Sequence, residues 1–494
     1  MTEQRYIAVD LGAESGRVML ADVQSEGMSL SELHRFSNGP VSVGGTLHWD
    51  ILRLWSEIQT GIAKAMAKTK AENKVVAGIG VDTWGVDFGL LDCNGELIGN
   101  PVHYRDGRTN GMKEKFFARL PLKQAYAITG IQTMNLNTLF QLCYLSEQRP
   151  AELERAKTLL YIPDLLTYWL CDYMGNEYTI ASTSQMLDAR QRRYSEDILA
   201  HIPVRVNLMA PITAPGTVVG KVTPNTHVGT QAGGVPVVAV GSHDTASAVA
   251  AVPAQGESWM FLSSGTWSLL GVEMDQPVLS QQAMRFNLTN EGGVGGKICL
   301  LKNIAGLWLL QECRRAWSRS GTDYDYRTLV QLAREEPSHT ALLNLEDAML
   351  LEPGDMPEKI AAQCRRNGQE IPKTPGRLTR VILESLAAAY ARVRDMIESV
   401  TGRQFTHLHI VGGGSQNDLL NQMAADATGM RVIAGPVEAT AMGNVLMQAM
   451  AVGQIDSLAA GRKLVARTAM VREFVPCETE KWHDALQVLR HRAP

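Results

Sequence analysis

Alternating apolar and polar positions at the start of the chain predict a β-hairpin. Residues 6–11 alternate in this way, residues 12–16 contain two glycines, and the apolar pattern resumes over 17–20. A glycine-containing turn between two such runs is typical of a hairpin. We therefore expect two antiparallel strands joined by a short turn.

Periodic segments predict the next elements of the first half. Apolar runs over 76–81 and 88–91 are typical of strands, and a polar segment separates them. Helical patterns cover 51–66, where Asp50 is the expected N-cap, and 138–148.

A similar order of elements recurs in the second half of the chain. The expected elements are strands at 235–240, 259–263, 267–272 and 407–411 and a helix at 416–428. A strand, a glycine-rich turn and a second strand in each half indicate a duplicated α/β domain with a cleft between the copies. We place the join between the copies near 252–256.

Composition narrows the possible classes of protein. The chain has 494 residues, 45% hydrophobic and 20% charged, which predicts two globular domains. The net charge is −4 and no long basic block occurs, which argues against binding to nucleic acid or an anionic membrane. Seven scattered cysteines without a C-x-x-C pair indicate neither a disulfide framework nor a zinc site, and favour the cytoplasm. Polar residues interrupt the most apolar long stretch, 432–453, so we expect no membrane span there.

The candidate chemistry lies in turns rich in Gly, Ser and Thr, because P-loop, G-x-G-x-x-G, H-E-x-x-H and G-x-S-x-G motifs are absent. In the first turn, Gly12 and Gly16 allow the main chain to approach a phosphate closely. Asp10 is a hard oxygen ligand suited to Mg²⁺ through water, and Arg17 is able to pair with a phosphate. The same residues also fit an ordinary hairpin with a surface Asp and Arg.

Two further turns have comparable features. Residues 261–268 offer hydroxyl groups beside a glycine, and Thr266 is the best phosphate donor among them. Residues 411–417 place three glycines between a strand and a helix, where a flat ring can lie against the backbone. A plain hairpin and a close-packed β–α junction are the alternatives.

A fourth candidate is the acid that follows the strand at 235–240. Asp244 has the position of a general base for a hydroxyl group, and His243 and Thr245 are neighbours that would touch the substrate. Asp is also a favoured helix N-cap residue, so position alone does not decide between the two roles. Asp82 and Asp87 are similarly open between a functional and a structural role.

Taken together, these motifs resemble the FGGY carbohydrate kinases of the actin, heat-shock-chaperone and sugar-kinase superfamily. The resemblance covers nearly the whole chain. The matching strings are Val9–Arg17, Gly80–Phe88, Tyr104–Gly111, Asn137–Leu142, Ser242–Ala248, Leu262–Ser268, Leu301–Gln311 and Ile433–Ala439. The longer strings narrow the resemblance to the branch of the family that acts on L-rhamnulose.

This resemblance implies two RNase-H-like α/β domains hinged around an ATP cleft. It implies a sugar-binding domain at 1–247, a nucleotide-binding domain at 248–458 and a tail at 459–494. The activity implied is ATP-dependent phosphorylation of L-rhamnulose at its C1 hydroxyl, with Mg²⁺ held by Asp10 through water. Asp244 is the implied base. The other implied contacts are Ala13, Glu14, Ser15, Gly16, Arg17 and Thr266 with the phosphates, Gln311 and Gly413 with the nucleoside, and Gly85, His243, Asp244, Thr245 and Asn303 with the sugar.

The chain departs from the family pattern at two places. The segment Asn137–Phe140 replaces a Lys-x-x-Trp-type segment, a difference that resembles the rhamnulose branch itself. Glu14 stands where the phosphate loop usually has a small residue, and its carboxylate would repel the phosphates, so we expect it to point outward. Alternative hypotheses for the function are a kinase for L-fuculose or a ketopentose, a sugar-responsive ATP-binding protein without turnover, and an actin-like filament protein.

Overall fold

The computed structural model describes residues 3–224 and 229–492, which divide into two compact units. The first comprises the described parts of Met1–Pro253, Glu273–Leu300 and Ala439–Ala469. The second comprises Ala254–Val272, Leu301–Glu438 and the described part of Met470–Pro494.

The elements follow one another as a mixture of strands and helices. The strands are β1 (Gln4–Leu11), β2 (Ser15–Val23), β3 (Met28–Ser37), β4 (Pro40–Val43), β5 (Thr46–Trp49), β6 (Val76–Thr83), β7 (Phe88–Leu91), β8 (Thr158–Tyr161), β9 (Asn176–Glu177), β10 (Leu187–Asp188), β11 (Arg193–Tyr194), β12 (Ile212–Thr213), β13 (Thr217–Lys221), β14 (Pro236–Ala239), β15 (Trp259–Ser264), β16 (Trp267–Met274), β17 (Thr289–Gly292), β18 (Ile298–Ala305), β19 (His407–Val411), β20 (Arg431–Ala434) and β21 (Arg472–Phe474). The helices are α1 (Ile51–Ala71), α2 (Met112–Arg119), α3 (Leu122–Thr129), α4 (Thr138–Gln148), α5 (Pro150–Arg155), α6 (Ile162–Cys171), α7 (Tyr178–Ser182), α8 (Glu196–Leu199), α9 (Gly229–Ala232), α10 (Asp244–Ala250), α11 (Gln281–Arg285), α12 (Trp308–Arg319), α13 (Tyr326–Glu335), α14 (Ala348–Leu351), α15 (Met356–Arg366), α16 (Pro375–Thr401), α17 (Asp418–Thr428), α18 (Ala439–Ala451), α19 (Leu458–Thr468) and α20 (Thr479–Arg492).

The sheet of the first unit brings three strand ends to one edge. Its order is β13-β14-β6-β1-β2-β3, and β1 pairs antiparallel with β2, which confirms the predicted hairpin. Strands β14, β6 and β1 run parallel to one another, so their carboxyl ends meet at the same edge. Asp10 and Asp82 lie side by side there, and the chain leaving β14 leads to Asp244 at the start of α10.

Helix α1 confirms a predicted element and extends it. Asp50 caps the helix by accepting a hydrogen bond from the backbone N–H of Arg53. The helix continues to Ala71, because residues 67–71 are Ala, Lys and Thr without a helix breaker. Lys68 and Lys70 in the last turn are favourably placed for the negative end of the helix dipole.

The two apolar runs at 76–81 and 88–91 become strands of different sheets. β6 lies in the main sheet of the first unit, whereas β7 pairs antiparallel with β8. The chain leaves β6 through Trp84 and Gly85 and reaches β7 through Val86, whose φ is 68°. A β-branched residue rarely adopts this left-handed conformation, so the surrounding structure imposes it.

In the second unit the strands are ordered β18-β16-β15-β19-β20-β21. β15 and β16 form the predicted antiparallel hairpin, and β15, β19 and β20 run parallel. β19 spans the predicted 407–411. Helix α17 begins two residues later than predicted, because residues 413–416 form a 3₁₀ turn and Asn417 caps the helix. Each unit therefore combines a hairpin with parallel strands, as expected for the two-domain α/β fold.

The apolar stretch at 432–453 is divided between β20 and α18. Its polar residues Asn444 and Gln448 are fully buried and hydrogen-bonded to each other. Within the residues that the structure describes, no helix has both the length and the apolar character needed to cross a bilayer.

Candidate active site

The first predicted turn holds a partly buried ion pair between its flanking strands. Asp10 on β1 and Arg17 on β2 stand directly opposite each other in the hairpin. The Arg17 Nε atom donates to Asp10 Oδ2 at 2.9 Å, and Asp10 is only 4% exposed. The guanidinium group predicted to meet a phosphate is therefore bonded to the carboxylate predicted to meet the metal.

Asn38 and a bond within the turn hold its backbone in place. The Gly12 N–H donates to the Ser15 carbonyl oxygen at 3.0 Å. The side-chain amide of Asn38 donates to the Gly12 carbonyl oxygen and its backbone N–H donates to the Glu14 carbonyl oxygen, at 2.8 Å each. A Cβ atom on Gly16 would lie 2.3 Å from the Phe36 ring and 2.5 Å from Leu11, so a larger residue would require these side chains to move. Ala13, Glu14 and Ser15 are partly exposed at the tip, and the expected outward orientation of Glu14, away from the phosphates, stays a prediction.

Asp82 is a buried acid for which the sequence allowed either a functional or a structural role. It is fully buried next to Asp10, and its Oδ2 accepts a hydrogen bond from Asn444 Nδ2 at 2.6 Å. Its other oxygen, Oδ1, has no hydrogen-bond partner among the described residues. Burial, with the nearby carboxylates of Asp10 and Asp244, raises the pKa of Asp82 well above its ordinary value.

Asp244 is the first residue of α10, and the N-cap position belongs to His243. The alternative role of Asp244 as an N-cap is therefore wrong. Its Oδ1 accepts a hydrogen bond from Thr245 Oγ1 at 3.2 Å and lies 3.7 Å from His243 Nε2, and about 30% of its side chain is exposed. Burial and the charge of Asp10 raise its pKa to about 6, although His243 and Thr245 oppose this shift. A carboxyl group of that pKa is suited to accept a proton near neutral pH.

His243 is held by an acid that sequence reasoning missed. Its Nδ1 lies 3.3 Å from Oε2 of Glu291, a buried residue of β17. Burial lowers the pKa of His243, but the hydrogen bond to Glu291 and the charges of Glu291 and Asp244 outweigh it, and the pKa is raised overall. No local motif marks Glu291, because only tertiary folding brings it to His243.

Gly85 is in contact with the same cluster. A Cβ atom at this position would lie 3.2 Å from Thr183 Oγ1 and 3.4 Å from His243 Nε2. A larger residue would therefore press against Thr183 and contact the imidazole of His243. The structure therefore brings together Gly85, His243, Asp244 and Thr245, the four residues of the first unit that were predicted to contact the sugar.

Asp87 has a structural role, which resolves the alternatives left open by the sequence. It is fully buried, and its Oδ2 accepts hydrogen bonds from Trp49 Nε1 at 2.6 Å, Trp84 Nε1 at 3.0 Å and the Tyr104 N–H at 3.2 Å. Its Oδ1 accepts a fourth from Gln141 Nε2 at 3.1 Å. Burial raises the pKa of Asp87 to about 6, against the effect of these donors. Trp84 is itself buried, and its indole N–H is one of the donors to this acid.

The second unit contains its own group of predicted residues. Gln311 Nε2 donates to Thr266 Oγ1 at 3.3 Å, and the Trp308 N–H donates to the Thr266 carbonyl oxygen at 3.1 Å, so α12 begins against the hairpin turn. Gln311 Oε1 is buried and has no hydrogen-bond partner in the described part of the chain. Asn303 lies partly exposed on β18.

The three glycines at 412–414 differ in what surrounds them. A Cβ atom on Gly414 would lie 2.0 Å from Ser264 Oγ, and Gly412 has a φ of 83°. A Cβ atom on Gly413 would meet no described atom within 4 Å. Two glycines therefore serve packing and backbone conformation, and the third presents an open face, as expected where a flat ring lies against the backbone.

The residues of the first unit fit a magnesium ion only in part. Asp10 and the unpartnered Oδ1 of Asp82 are hard oxygen donors of the kind that Mg²⁺ prefers. The described residues contain no cluster of three or more His, Cys, Asp or Glu side chains able to enclose a metal ion. A bound Mg²⁺ would therefore take most of its ligands from water and from a nucleotide, as this ion commonly does.

Comparisons with known proteins agree over most of the chain. The models of the FGGY family of carbohydrate kinases match residues 5–251 (N-terminal domain) and 260–452 (C-terminal domain). A rhamnulokinase from Bacteroides thetaiotaomicron is 42% identical over 98% of both chains. A gluconate kinase structure from Lactobacillus acidophilus (TM-score 0.81, 14% identity) covers 99% of this chain and 97% of its own. The glycerol kinase of Plasmodium falciparum with ADP (TM-score 0.78, 16% identity) covers 99% and 98%.

Proposed function

Because this chain belongs to the FGGY family of carbohydrate kinases, we propose that it phosphorylates L-rhamnulose at the C1 hydroxyl. The products are L-rhamnulose 1-phosphate and ADP. The choice of sugar is supported by the 42% identity to a rhamnulokinase over 98% of both chains. The observation that carries the chemistry is Asp244, a partly exposed carboxylate with a pKa of about 6 beside His243, whose imidazole in turn lies next to Gly85.

In this proposal Asp244 accepts the proton of the C1 hydroxyl as the oxygen attacks the γ-phosphorus. Phosphoryl transfer depends mainly on alignment and charge neutralisation, so one base and well-placed donors suffice. The imidazole of His243, held by Glu291, orients the sugar by donating to one of its oxygens. Gly85 and Thr245 in the first unit and Asn303 in the second are the other proposed sugar contacts.

The phosphate contacts are proposed on the two hairpin turns. Residues 13–17 offer backbone N–H groups and the Arg17 guanidinium, and Thr266 offers a hydroxyl. Gln311 and Gly413 are the proposed nucleoside contacts, supported by the unpartnered Gln311 Oε1 and the open face of Gly413. When bound, Mg²⁺ neutralises charge on the β- and γ-phosphates, and Asp10 and Asp82 would hold it. The domain division at 247 and the cytoplasmic location remain predictions.

The direct test is a coupled assay of ADP release with a panel of ketoses, with and without Mg²⁺. We expect L-rhamnulose to give the highest kcat/KM, activity to require the divalent ion, and ATP hydrolysis without sugar to be slow. A higher kcat/KM for L-fuculose or a ketopentose would replace the proposed substrate. ATP hydrolysis that is equally fast with and without sugar would exclude a sugar kinase.

The pKa of Asp244 also predicts the acidic limb of the pH profile. The carboxyl group acts as a base only when ionised, and its pKa is raised to about 6. We therefore expect kcat/KM for the sugar to be constant above neutral pH and to fall about tenfold per pH unit below pH 6. Initial rates between pH 5 and 8 measure this. A rate that holds constant down to pH 5 would show that no group of this pKa must lose its proton.

A further inference from the structure

Glu177 is a fully buried carboxylate that does more than cap its own helix. It occupies the N-cap of α7 and accepts hydrogen bonds from the N–H groups of Thr179 at 2.9 Å and Ile180 at 3.2 Å, and from the Thr179 hydroxyl. Its Oε2 accepts another from the N–H of Ser242, which is 65 residues away, at 3.1 Å. Burial raises the pKa of Glu177 to about 7, against the effect of these donors.

Thr179 extends the same contact by one residue. Its Oγ1 accepts a hydrogen bond from the N–H of His243 at 3.1 Å and donates to Glu177. Glu177 and Thr179, here called the backbone clamp, therefore bind two consecutive N–H groups, those of Ser242 and His243. The next residue is Asp244, and α10 begins there.

Other contacts make the backbone clamp rigid on both sides. Asp164, buried in α6, accepts a hydrogen bond from the Glu177 N–H at 3.0 Å. On the far side, the carbonyl oxygen of Ser242 accepts from the Thr83 N–H at 2.9 Å, at the end of β6. Residues 242–243 are thus held between α7 and the main sheet of the first unit.

A role limited to helix capping would not require these distant bonds. Ser195 caps α8 in the same unit by accepting from the Ile198 N–H at 3.3 Å, a bond confined to its own helix. Glu177 already satisfies the Thr179 and Ile180 N–H groups of α7 in that way. The hydrogen bonds to the Ser242 and His243 N–H groups therefore fix the segment that leads to the base, Asp244.

We propose that Glu177 and Thr179 are positioning residues that fix the backbone before Asp244 and so aim its carboxylate at the sugar hydroxyl. This rests on the proposed function, in which Asp244 is the base. A displacement of about 1 Å at a reacting group costs on the order of 10²-fold in rate. Loosening two backbone hydrogen bonds next to the base is therefore expected to lower kcat more than it lowers the affinity for ATP.

Thr179 offers a matched pair of variants. Thr179→Val keeps the shape of the side chain and removes the hydroxyl group, and Thr179→Ser keeps the hydroxyl group. We expect Thr179→Val to lower kcat about tenfold or more with the KM for ATP unchanged within twofold, and Thr179→Ser to restore kcat to within about threefold of wild type. Glu177→Gln keeps only one of the two acceptor oxygens and sets an NH₂ donor against N–H groups that the carboxylate binds, so it is expected to behave like Thr179→Val.

Ser195→Ala is the control, because it removes a helix cap of the same unit without touching residues 241–245. We expect it to lower the melting temperature and to leave kcat unchanged. If Thr179→Val and Glu177→Gln lower only the melting temperature, as Ser195→Ala does, the positioning role is wrong. Where one of the two variants does not fold, the other is judged by the same criterion.

Measurements on the wild type separate this proposal from the proposed function. A wild type that prefers another ketose overturns only the choice of substrate, and the variants are then compared with that ketose. A wild type without any ketose-dependent ADP release overturns the proposed function, and the positioning role with it. A wild type active on L-rhamnulose whose Thr179→Val and Glu177→Gln variants keep full kcat overturns the positioning role alone.

Discussion

Replacing Asp244 by Asn is expected to lower kcat for L-rhamnulose by about 10²–10⁴-fold, the usual contribution of a general base. The amide has the shape of the carboxyl group but cannot accept the proton of the attacking hydroxyl. The hydrogen bond from Thr245 Oγ1 can still be accepted by the amide oxygen, so the local structure should persist. Steady-state kinetics measure the loss, and calorimetric titration with ATP should show an unchanged Kd.

Asp50→Asn provides the control for this variant. Asp50 is an N-cap acid of α1, and Asn is an equally good cap residue, so both stability and kcat should be retained. A kcat of Asp244→Asn within about threefold of wild type would refute its role as the base. A large loss of ATP affinity would instead show that Asp244 acts on nucleotide binding.

Replacing Asp87 by Ala is expected to lower the free energy of unfolding by at least about 3 kcal/mol. The change leaves Trp49 Nε1, Trp84 Nε1 and the Tyr104 N–H without their acceptor in a buried site. An unsatisfied buried donor costs about 1–3 kcal/mol, and these three donors lose their acceptor. The fourth donor, Gln141 Nε2, keeps the carbonyl oxygen of Leu136 at 2.9 Å. Urea unfolding followed by tryptophan fluorescence is a suitable measurement, because two of the donors are indole groups.

Two companion variants make this result interpretable. Asp87→Asn keeps one carbonyl oxygen for the indole N–H groups but sets an amide donor against Gln141 Nε2, so its loss should be smaller than that of Ala. Asp92→Ala removes an acid of an exposed turn, which accepts from the N–H groups of Asn94 and Glu96, and should cost about 1 kcal/mol or less. Equal losses for Asp87→Ala and Asp92→Ala would show that the buried acid does not stabilise the first unit.

The elements that were predicted correctly share one property, which is that their signals are local. Strand β19 and helix α4 have the expected bounds, and both hairpins form at the expected turns. Apolar periodicity and turn residues report on the nearest few residues, so they specify an element without knowledge of its partner. They do not report where it pairs, and β6 and β7 accordingly belong to different sheets.

The base and its neighbours His243 and Thr245 were candidates because they are adjacent along the chain. Asp82 was left open between a functional and a structural role, and Glu177 and Glu291 were not assigned a role, because each reaches this cluster from a distant segment of the chain. Asp82 owes its place to the parallel pairing of β6 with β1, and Glu291 to the position of β17.

Local chemistry therefore decided which residues are able to react, since a hydroxyl, a carboxylate or a flexible glycine is a property of the residue and its turn. Long-range packing decided how those residues behave. It buries Asp82 and Asp244 near other acids and so raises their pKa values. It also brings Glu177 to the backbone N–H of Ser242, two residues before the base. Charges respond to everything within several ångströms in space, whatever the separation along the chain, and that spatial information exists only after folding.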